Sequence, residues 1–485
     1  MVVSIIGRPN VGKSSLFNML LKKMHKNTGS IAFDQMGVTR DFHFGHLELE
    51  HPTLPESRRH FVNLVDTGGF FPQYIEANNE NEILYSIEQH ATIAIDESDF
   101  ILLIMDIKAG VTPIDNTLFQ LVQRSKKPFI IVANKADDVI HHQQGVDFYS
   151  LGIKEEQLFF TSSAHKKGIS ELLECITDFY LKNTKLDEEI ESEQDRPKTE
   201  LNLSIIGTPN AGKSTLMNSL LGYERSLVTP IAGTTIDPVE DEFDITIPAR
   251  SHPLNPEQTQ LRIKILDTAG IRRIKSLRTQ ESPLESLGVY RALKSMDEAH
   301  IVLMVIDCTK SITHQDRRLI EIALEKGCSV IVLLNKVDLL DNLPKQERKE
   351  KLITQDPSIA PYVQIIPVSA KKKINLEDVK KSITKSFLAR LKPFKSHEVL
   401  QCLQDLTDSK SYFPNKSSKN PLKIKFAQLV RNHPPTFILF ANHPQEVSKV
   451  YRRYLTNGLR KHFRLPNCPI HLVFKRNEES KNSYR

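Results

Sequence analysis

GRPNVGKSSLFNML (Gly7–Leu20) and GTPNAGKSTLMNSL (Gly207–Leu220) are one segment written twice, 200 positions apart, in a chain of 485 residues. Each copy follows a short apolar run and opens an amphipathic stretch, the context of a strand, a loop and a helix. Each also fits GxxxxGKS. In that pattern the glycines let backbone N–H groups curl around a phosphate, and the N-terminus of the following helix adds a favourable dipole. Lys13 and Lys213 are expected to reach the β- and γ-phosphates, and Ser14 and Ser214 to ligate Mg²⁺.

Working outward, DTGG at Asp66 recurs as DTAG at Asp267, and NKAD at Asn134 recurs as NKVD at Asn335, both shifted by 201. Agreement over three separated motifs means that a whole domain is repeated. In the first copy Val2–Ile6, Phe61–Val65, Phe100–Met105 and Phe129–Ala133 read as buried parallel strands. Lys13–Met24, Glu82–Glu97 and Gly168–Leu181 read as helices. The second copy repeats the rhythm with strands at Leu203–Ile206, Ile263–Leu266, Ile301–Ile306 and Val330–Leu334. The expected fold class is α/β: two tandem P-loop GTPase domains with doubly wound, mostly parallel sheets, followed by a small α+β module.

The other motifs assign the nucleotide. Asp66 and Asp267 end apolar strands, where a carboxylate meets a metal's water shell. Gly69 and Gly270 then offer a backbone N–H to a γ-phosphate. Asp137 and Asp338 can accept both the N1–H and the exocyclic amine of guanine, a donor pair that adenine lacks. Ser163-Ala164 and Ser369-Ala370 follow the last strand of each copy and are placed to back the base. Thr39 in GVTRD and Thr235 in AGTTID are the candidates for sensing the γ-phosphate through Mg²⁺. The first nucleotide site is therefore expected to comprise Gly7, Arg8, Pro9, Asn10, Val11, Gly12, Lys13, Ser14, Asp66, Thr67, Gly68, Gly69, Phe70, Asn134, Lys135, Ala136, Asp137, Ser163 and Ala164. The second comprises Gly207, Thr208, Pro209, Asn210, Ala211, Gly212, Lys213, Ser214, Asp267, Thr268, Ala269, Gly270, Ile271, Asn335, Lys336, Val337, Asp338, Ser369 and Ala370. Lys13, Thr39, Lys213 and Thr235 are the expected catalytic residues. Ras-like switches place a glutamine after DxxG, but here Phe70 and Ile271 stand there, and neither can hold water; intrinsic hydrolysis should be slow.

Composition sets the class. Apolar residues at 39% and charged residues at 26% are ordinary for a globular protein, and no apolar run approaches the roughly 18 residues of a membrane span. The five cysteines are scattered, with no CxxC spacing, which argues against disulfides or zinc and fits a reducing cytoplasm. The opening MVVSIIGRPN reads as a strand and not as a secretion signal. The net charge of +6 is unevenly divided: Arg390 onward carries 19 basic and 6 acidic residues, the rest 46 and 53. A polyanionic partner would be drawn to the C-terminal end. The expected divisions are a first GTPase domain at 1–183, an acidic linker at 184–200, a second GTPase domain at 201–390 and a basic module at 391–485. The linker TKLDEEIESEQDRPKTE reads as solvated, with a regulatory role as the alternative.

The tandem of GRPNVGKSSLFN and GTPNAGKSTLMN resembles Der (EngA), the bacterial double-GTPase family of the Era-like group. The tail segments PPTFILFANHP, YRRYLTNGLRKHF and CPIHLVFK resemble that family's C-terminal KH-like domain. The resemblance implies GTP binding and hydrolysis to GDP, and a cytoplasmic, monomeric factor in assembly of the large ribosomal subunit, partnered by ribosomal RNA and proteins. It also implies a K⁺ ion held by a P-loop asparagine, a position matched by Asn10 and Asn210; a loop-stabilising side chain is the alternative for each. Ile236 departs from the family's arginine after the switch threonine, whereas Arg40 keeps it. Asn467-Cys468 stands where the family has Gly-Thr, read as a loop change of little consequence.

On its own residues, the tail from Ser396 reads as helix, two strands, helix, strand. Val447, Val450, Tyr451, Tyr454, Leu459 and Phe463 should face a core, leaving Lys449, Arg452, Arg453, Arg460 and Lys461 as candidate RNA contacts, or simply a solvated face. Its single glycine, Gly458, rules out a GXXG clamp. Docking on a GTPase domain and presentation of basic residues to folded RNA are expected. Two rival functions remain at this point: a GTPase for tRNA modification or cell division, and a GTP-binding module that does not hydrolyse.

Overall fold

The apolar runs separated by helix-forming stretches fold as their periodicity requires. A computed structural model describes residues 1–28, 43–49, 54, 60–67, 80–137, 146–183, 200–221, 241–248, 252–253, 257, 259–266, 281–310, 312–340, 361–413 and 421–476. The chain divides into two units. The first is Met1–Leu54, Arg59–Arg196 and Leu277–Lys294; the second is Pro55–Arg58, Pro197–Ser276 and Ser295–Arg485. The linker at 184–199 lies outside the described residues, whereas residue 200, the last of the expected linker, begins a strand.

In the first unit the chain runs β1 (Val2–Ile6), α1 (Lys13–Thr28), β2 (His43–Leu49), β3 (His60–Asp66), α2 (Glu80–Glu97), β4 (Phe100–Asp106), α3 (Pro113–Arg124), β5 (Phe129–Asn134), β6 (Leu158–Phe160) and α4 (Ile169–Asn183). The strands form one sheet in the order β2-β3-β1-β4-β5-β6, parallel except for the β2–β3 pair. Every residue of β1 and β4 is buried, so both are apolar on both faces, as a sheet covered by helices demands. The antiparallel edge strand β2 was not anticipated, because in HFGHLEL large apolar residues appear only at Phe44, Leu47 and Leu49. Helix α3 starts with a capping box in which Thr112 and Asp115 bond reciprocally.

The second unit repeats the plan with β7 (Glu200–Ile206), α5 (Lys213–Leu221), β8 (Asp241–Thr246), β9 (Gln260–Leu266), the end of α6 (Glu281–Glu298), β10 (Ile301–Asp307), α7 (His314–Glu325), β11 (Ser329–Asn335), β12 (Gln364–Pro367) and α8 (Leu376–Arg390). Its sheet order, β12-β11-β10-β7-β9-β8, matches that of the first sheet. Here too only the β8–β9 pair is antiparallel. The α/β expectation holds for both copies.

The same unit holds the C-terminal module: α9 (Ser396–Ser409), β13 (Ile424–Asn432), β14 (Pro435–Ala441), α10 (Lys449–His462) and β15 (His471–Arg476). This is the helix, strand, strand, helix, strand order expected. Gly458 lies within α10, where a Cβ would sit 2.4 Å from Leu406 of α9, so this glycine permits two helices to approach closely. Val450, expected in the core, is 77% exposed. It falls between the inward positions of Val447 and Tyr451, which the module's core takes up.

The module docks on the second copy through polar anchors. Asn467 is buried; its Oδ1 accepts the backbone N–H of Gln364 at 3.0 Å, and its Nδ2 donates to Ser386 Oγ at 3.1 Å. The change at Asn467-Cys468 is therefore a docking contact, contrary to the sequence reading. Arg460 is also a correction. It is 8% exposed, lies 3.5 Å over the Tyr362 ring, and donates to the Cys468 carbonyl at 2.9 Å and to Asn457 Oδ1 at 2.7 Å. Its guanidinium is used inside the protein, so it is not an RNA contact. Buried Arg390 likewise donates to the Gly327 carbonyl at 2.6 Å.

Candidate nucleotide-binding sites

Both P-loops are formed and share one internal design. Gly12 has φ 93° and a Cβ there would lie 2.3 Å from Asn134 Nδ2; Gly212, at φ 99°, stands 2.2 Å from Asn335 Nδ2 by the same measure. A side chain at either position would displace the NKxD asparagine, which is why glycine is required. Those asparagines tie the base-reading loop to the phosphate loop: Asn134 Nδ2 donates to the Val11 carbonyl at 2.9 Å, and Asn335 Nδ2 to the Ala211 carbonyl at 2.8 Å. Asn10 and Asn210 adopt φ 65° and 63°. Asparagine tolerates that left-handed conformation better than most residues, so each has a backbone reason for its identity.

Lys13 donates to the Arg8 carbonyl at 2.8 Å; Lys213 donates to the carbonyls of Gly207 and Thr208, both at 2.8 Å. Burial pushes each ammonium down to about 8. Phosphate oxygens offer a better-matched anionic partner for these cations. Ser14 Oγ donates to Asp66 Oδ2 at 2.6 Å, which puts a hydroxyl and a fully buried carboxylate side by side. Oxygen donors of this kind suit Mg²⁺, which is held directly or through its waters. Thr67 is turned inward, donating to the Ile5 carbonyl at 2.8 Å. Pro9 is exposed in the first loop, whereas Pro209 of the second is half-buried. Thr39, Arg40, Gly68, Gly69, Phe70, Thr235, Ile236, Asp267, Thr268, Ala269, Gly270 and Ile271 lie outside the described residues.

At the base-reading corner, Lys135 and Lys336 pair with Asp106 and Asp307 at 2.7 and 2.6 Å. Ala136 and Val337 are buried, with their amides bonded to the Thr161 and Val368 carbonyls. Ser369 Oγ donates to Asp338 Oδ1 at 2.5 Å, and Ala370 N donates to Asn335 Oδ1 at 3.0 Å. In the first copy the serine that holds Asp137 is Ser162, at 2.7 Å, while Ser163 N bonds Asn134 Oδ1 at 3.3 Å and Ala164 is exposed. Ser162 is thus the counterpart of Ser369, and Ser163 that of Ala370. TSSA contains two serines, and matching the letters SA chose the second. Lys108 was also missed: its Nζ pairs with Asp137 Oδ2 at 2.6 Å. Together with Ser162 it draws the Asp137 carboxyl down to about 2.

Two P-loops are thus each tied to their own NKxD segment on sheets of matching strand order, and one family matches both copies. The model described as "50S ribosome-binding GTPase" matches residues 2–135 and 202–336, and the one described as "KH-domain-like of EngA bacterial GTPase enzymes, C-terminal" matches residues 394–475. GTPase Der of Natranaerobius thermophilus is 34% identical over 97% of this chain and 97% of its own length. The chain belongs to the GTPase Der family. It is a P-loop GTPase with two GTPase domains and a KH-like C-terminal domain. GTPase Der of Syntrophotalea carbinolica is also 34% identical, over 98% of each chain. Among solved structures, Era in complex with MgGDPNP and nucleotides 1506–1542 of 16S ribosomal RNA is similar at 20% identity and TM-score 0.26, covering 59% of this chain and 96% of that one. Among the described residues no helix is long and apolar enough to cross a membrane.

On α10, Arg453 and Lys461 are exposed, whereas Lys449 and Arg452 are half-buried. Arg452 lies over the Phe474 ring, 5.0 Å from its centroid. Of the five basic residues proposed from sequence to touch RNA, only Arg453 and Lys461 are exposed.

Proposed function

We propose that this GTPase binds GTP in both copies, hydrolyses it to GDP, and acts as a nucleotide-controlled assembly factor for the large ribosomal subunit. The observation that carries two-site binding is the duplicated asparagine bridge, Asn134 to Val11 and Asn335 to Ala211, which joins base reader and phosphate loop in each copy. Asp137 and Asp338 select guanine, and Lys13 and Lys213 bind the β- and γ-phosphates. Ser14, Ser214, Thr39 and Thr235 hold Mg²⁺, which supplies charge neutralisation at those phosphates. Asn10 and Asn210 hold K⁺, which supplies positive charge beside the phosphates in sites where Phe70 and Ile271 cannot orient water. The first GTPase domain ends at 183, the second runs from Glu200, where β7 begins, to Arg390, and the protein works as a cytoplasmic monomer.

The ribosomal part of the reading is supported by the family description and by the basic tail, which displays Arg453 and Lys461 on a module anchored to the second copy. Co-sedimentation of the full chain with purified large subunits tests it. A non-hydrolysable GTP analogue should strengthen binding relative to GDP. Arg453→Glu with Lys461→Glu should weaken binding in both states and lower the salt dependence by about 1.5 in log–log slope. Equal binding with GDP and the analogue would remove the switch, and undiminished binding by the double variant would remove the tail from the interface.

A further inference from the structure

The two carboxylates assigned to guanine differ in what else they hold. Asp137 is approached from both sides: Ser162 Oγ donates to Oδ1 at 2.7 Å, and Lys108 Nζ pairs with Oδ2 at 2.6 Å. His165 Nε2 lies 4.0 Å from Oδ1. Lys108 stands two residues beyond β4, and its backbone N–H is fixed on Asp106 Oδ1 at 3.0 Å, so the side chain is directed from a set position. In the second copy the corresponding residue is Thr309. Its hydroxyl turns back to Asp307 Oδ1 at 2.7 Å, and its amide donates to the same oxygen at 3.0 Å. Asp338 keeps its serine, Ser369, and no cation pairs with it among the described residues.

We propose that Lys108 is an affinity-determining residue of the first copy: a tethered cation that competes with the guanine base for Asp137 and makes this the weaker guanine site of the two. This rests on the reading of Asp137 and Asp338 as guanine selectors. A carboxylate has about four lone-pair positions on its two oxygens. Guanine needs one on each oxygen, in one plane, for its N1–H and exocyclic amine. Ser162 already occupies one position on Oδ1 and Lys108 one on Oδ2, and the ammonium also neutralises the charge that makes the guanine bonds strong. A bound base must therefore displace Lys108, or share the carboxylate with it and shield it from water. The depressed Asp137 carboxyl, at about 2, is the same competition seen from the proton's side. In the second copy, among the described residues, Asp338 has only its serine attached.

The test exchanges the two residues and reads GDP affinity by titration of the full chain with a fluorescent GDP. Asp338→Asn isolates the first site and Asp137→Asn the second. In the first background Lys108→Thr should tighten GDP about fivefold, on the scale of an exposed ion pair. Lys108→Met, which keeps the length and removes the charge, should do the same. In the second background Thr309→Lys should loosen GDP by a similar factor. Unchanged or weaker GDP binding in both Lys108 variants overturns the proposal, since Lys108 would then be neutral or would help to position Asp137. If instead Asp137→Asn and Asp338→Asn leave GDP binding intact, the base-reading assignment itself falls and Lys108 has nothing to compete for.

Discussion

The two GTPase copies agree closely at the phosphate loop and diverge where each meets something else. The asparagine bridges measure 2.9 and 2.8 Å and the lysine–aspartate pairs 2.7 and 2.6 Å. By contrast, the closing helices α4 and α8, both of 15 residues, differ in the side chains they turn inward. Where α8 has Ser382 and Ser386, α4 has Cys175 and Phe179, and Phe179 stacks on Phe100 with ring centroids 4.4 Å apart. Ser382 and Ser386 are buried and accept Asn467 of the C-terminal module. Burying a hydroxyl is unfavourable unless it is bonded. A polar pair on an inward helix face therefore marks the copy that carries the module, while the aromatic stack marks the copy closed by its own core. Chemistry common to both domains is held constant, and specialisation is written at their margins.

The largest expected effect probes the common part. Asp137→Asn and Asp338→Asn should each weaken GTP binding in their own copy by about 10²-fold or more and favour xanthosine triphosphate, because an amide presents a donor where the guanine amine needs an acceptor. Separate titrations with GTP and xanthosine triphosphate check this. A variant whose GTP affinity is unchanged would remove its aspartate from the base-reading role.

Next comes the margin. Asn467→Leu leaves the Gln364 amide without its partner and strips Ser386 of a donor. The second unit should lose about 2–4 kcal/mol, the scale for stranding buried polar groups. Urea unfolding followed by probes in each unit should place that loss in the second, with GDP binding by the first copy unchanged. Wild-type stability would mean that Asn467 is not the anchor.

The smallest effect is a protonic one that both copies share. Lys13 and Lys213 titrate at about 8 in the folded protein, below the usual lysine range. The unfolded chain therefore binds more protons than the folded one between about pH 8 and 10.5, and this contribution to stability rises with pH across that window. Phosphate favours the charged ammonium, so nucleotide binding near pH 8.5 should take up a fraction of a proton per site, and affinity should fall as pH rises. Calorimetry in buffers of different ionisation enthalpy measures the uptake. Its absence would mean that the two lysines stay charged without phosphate.

By itself the sequence determined the repeat, the parallel strands, the two P-loops and the NKxD carboxylates. These rest on local patterns: an apolar run for a strand covered on both faces, glycines where backbone must curl or another side chain must pass, and fixed spacing within a loop. It also determined the order of elements in the C-terminal module. Tertiary structure alone decided which serine holds Asp137, because Ser162 and Ser163 are adjacent letters that differ only in the direction β6 gives them. It decided that Lys108 reaches Asp137, a contact across 29 residues. It also turned Arg460 and Asn467 inward. Arg460 read as a basic contact for RNA and Asn467 as a loop change of little consequence, but the second copy supplies a ring at Tyr362 and bonding partners at Gln364, Ser382 and Ser386 that the residues around them in sequence could not reveal. A polar side chain is drawn to whatever satisfies it, and whether that is water or a distant part of the chain is settled only once the chain has folded.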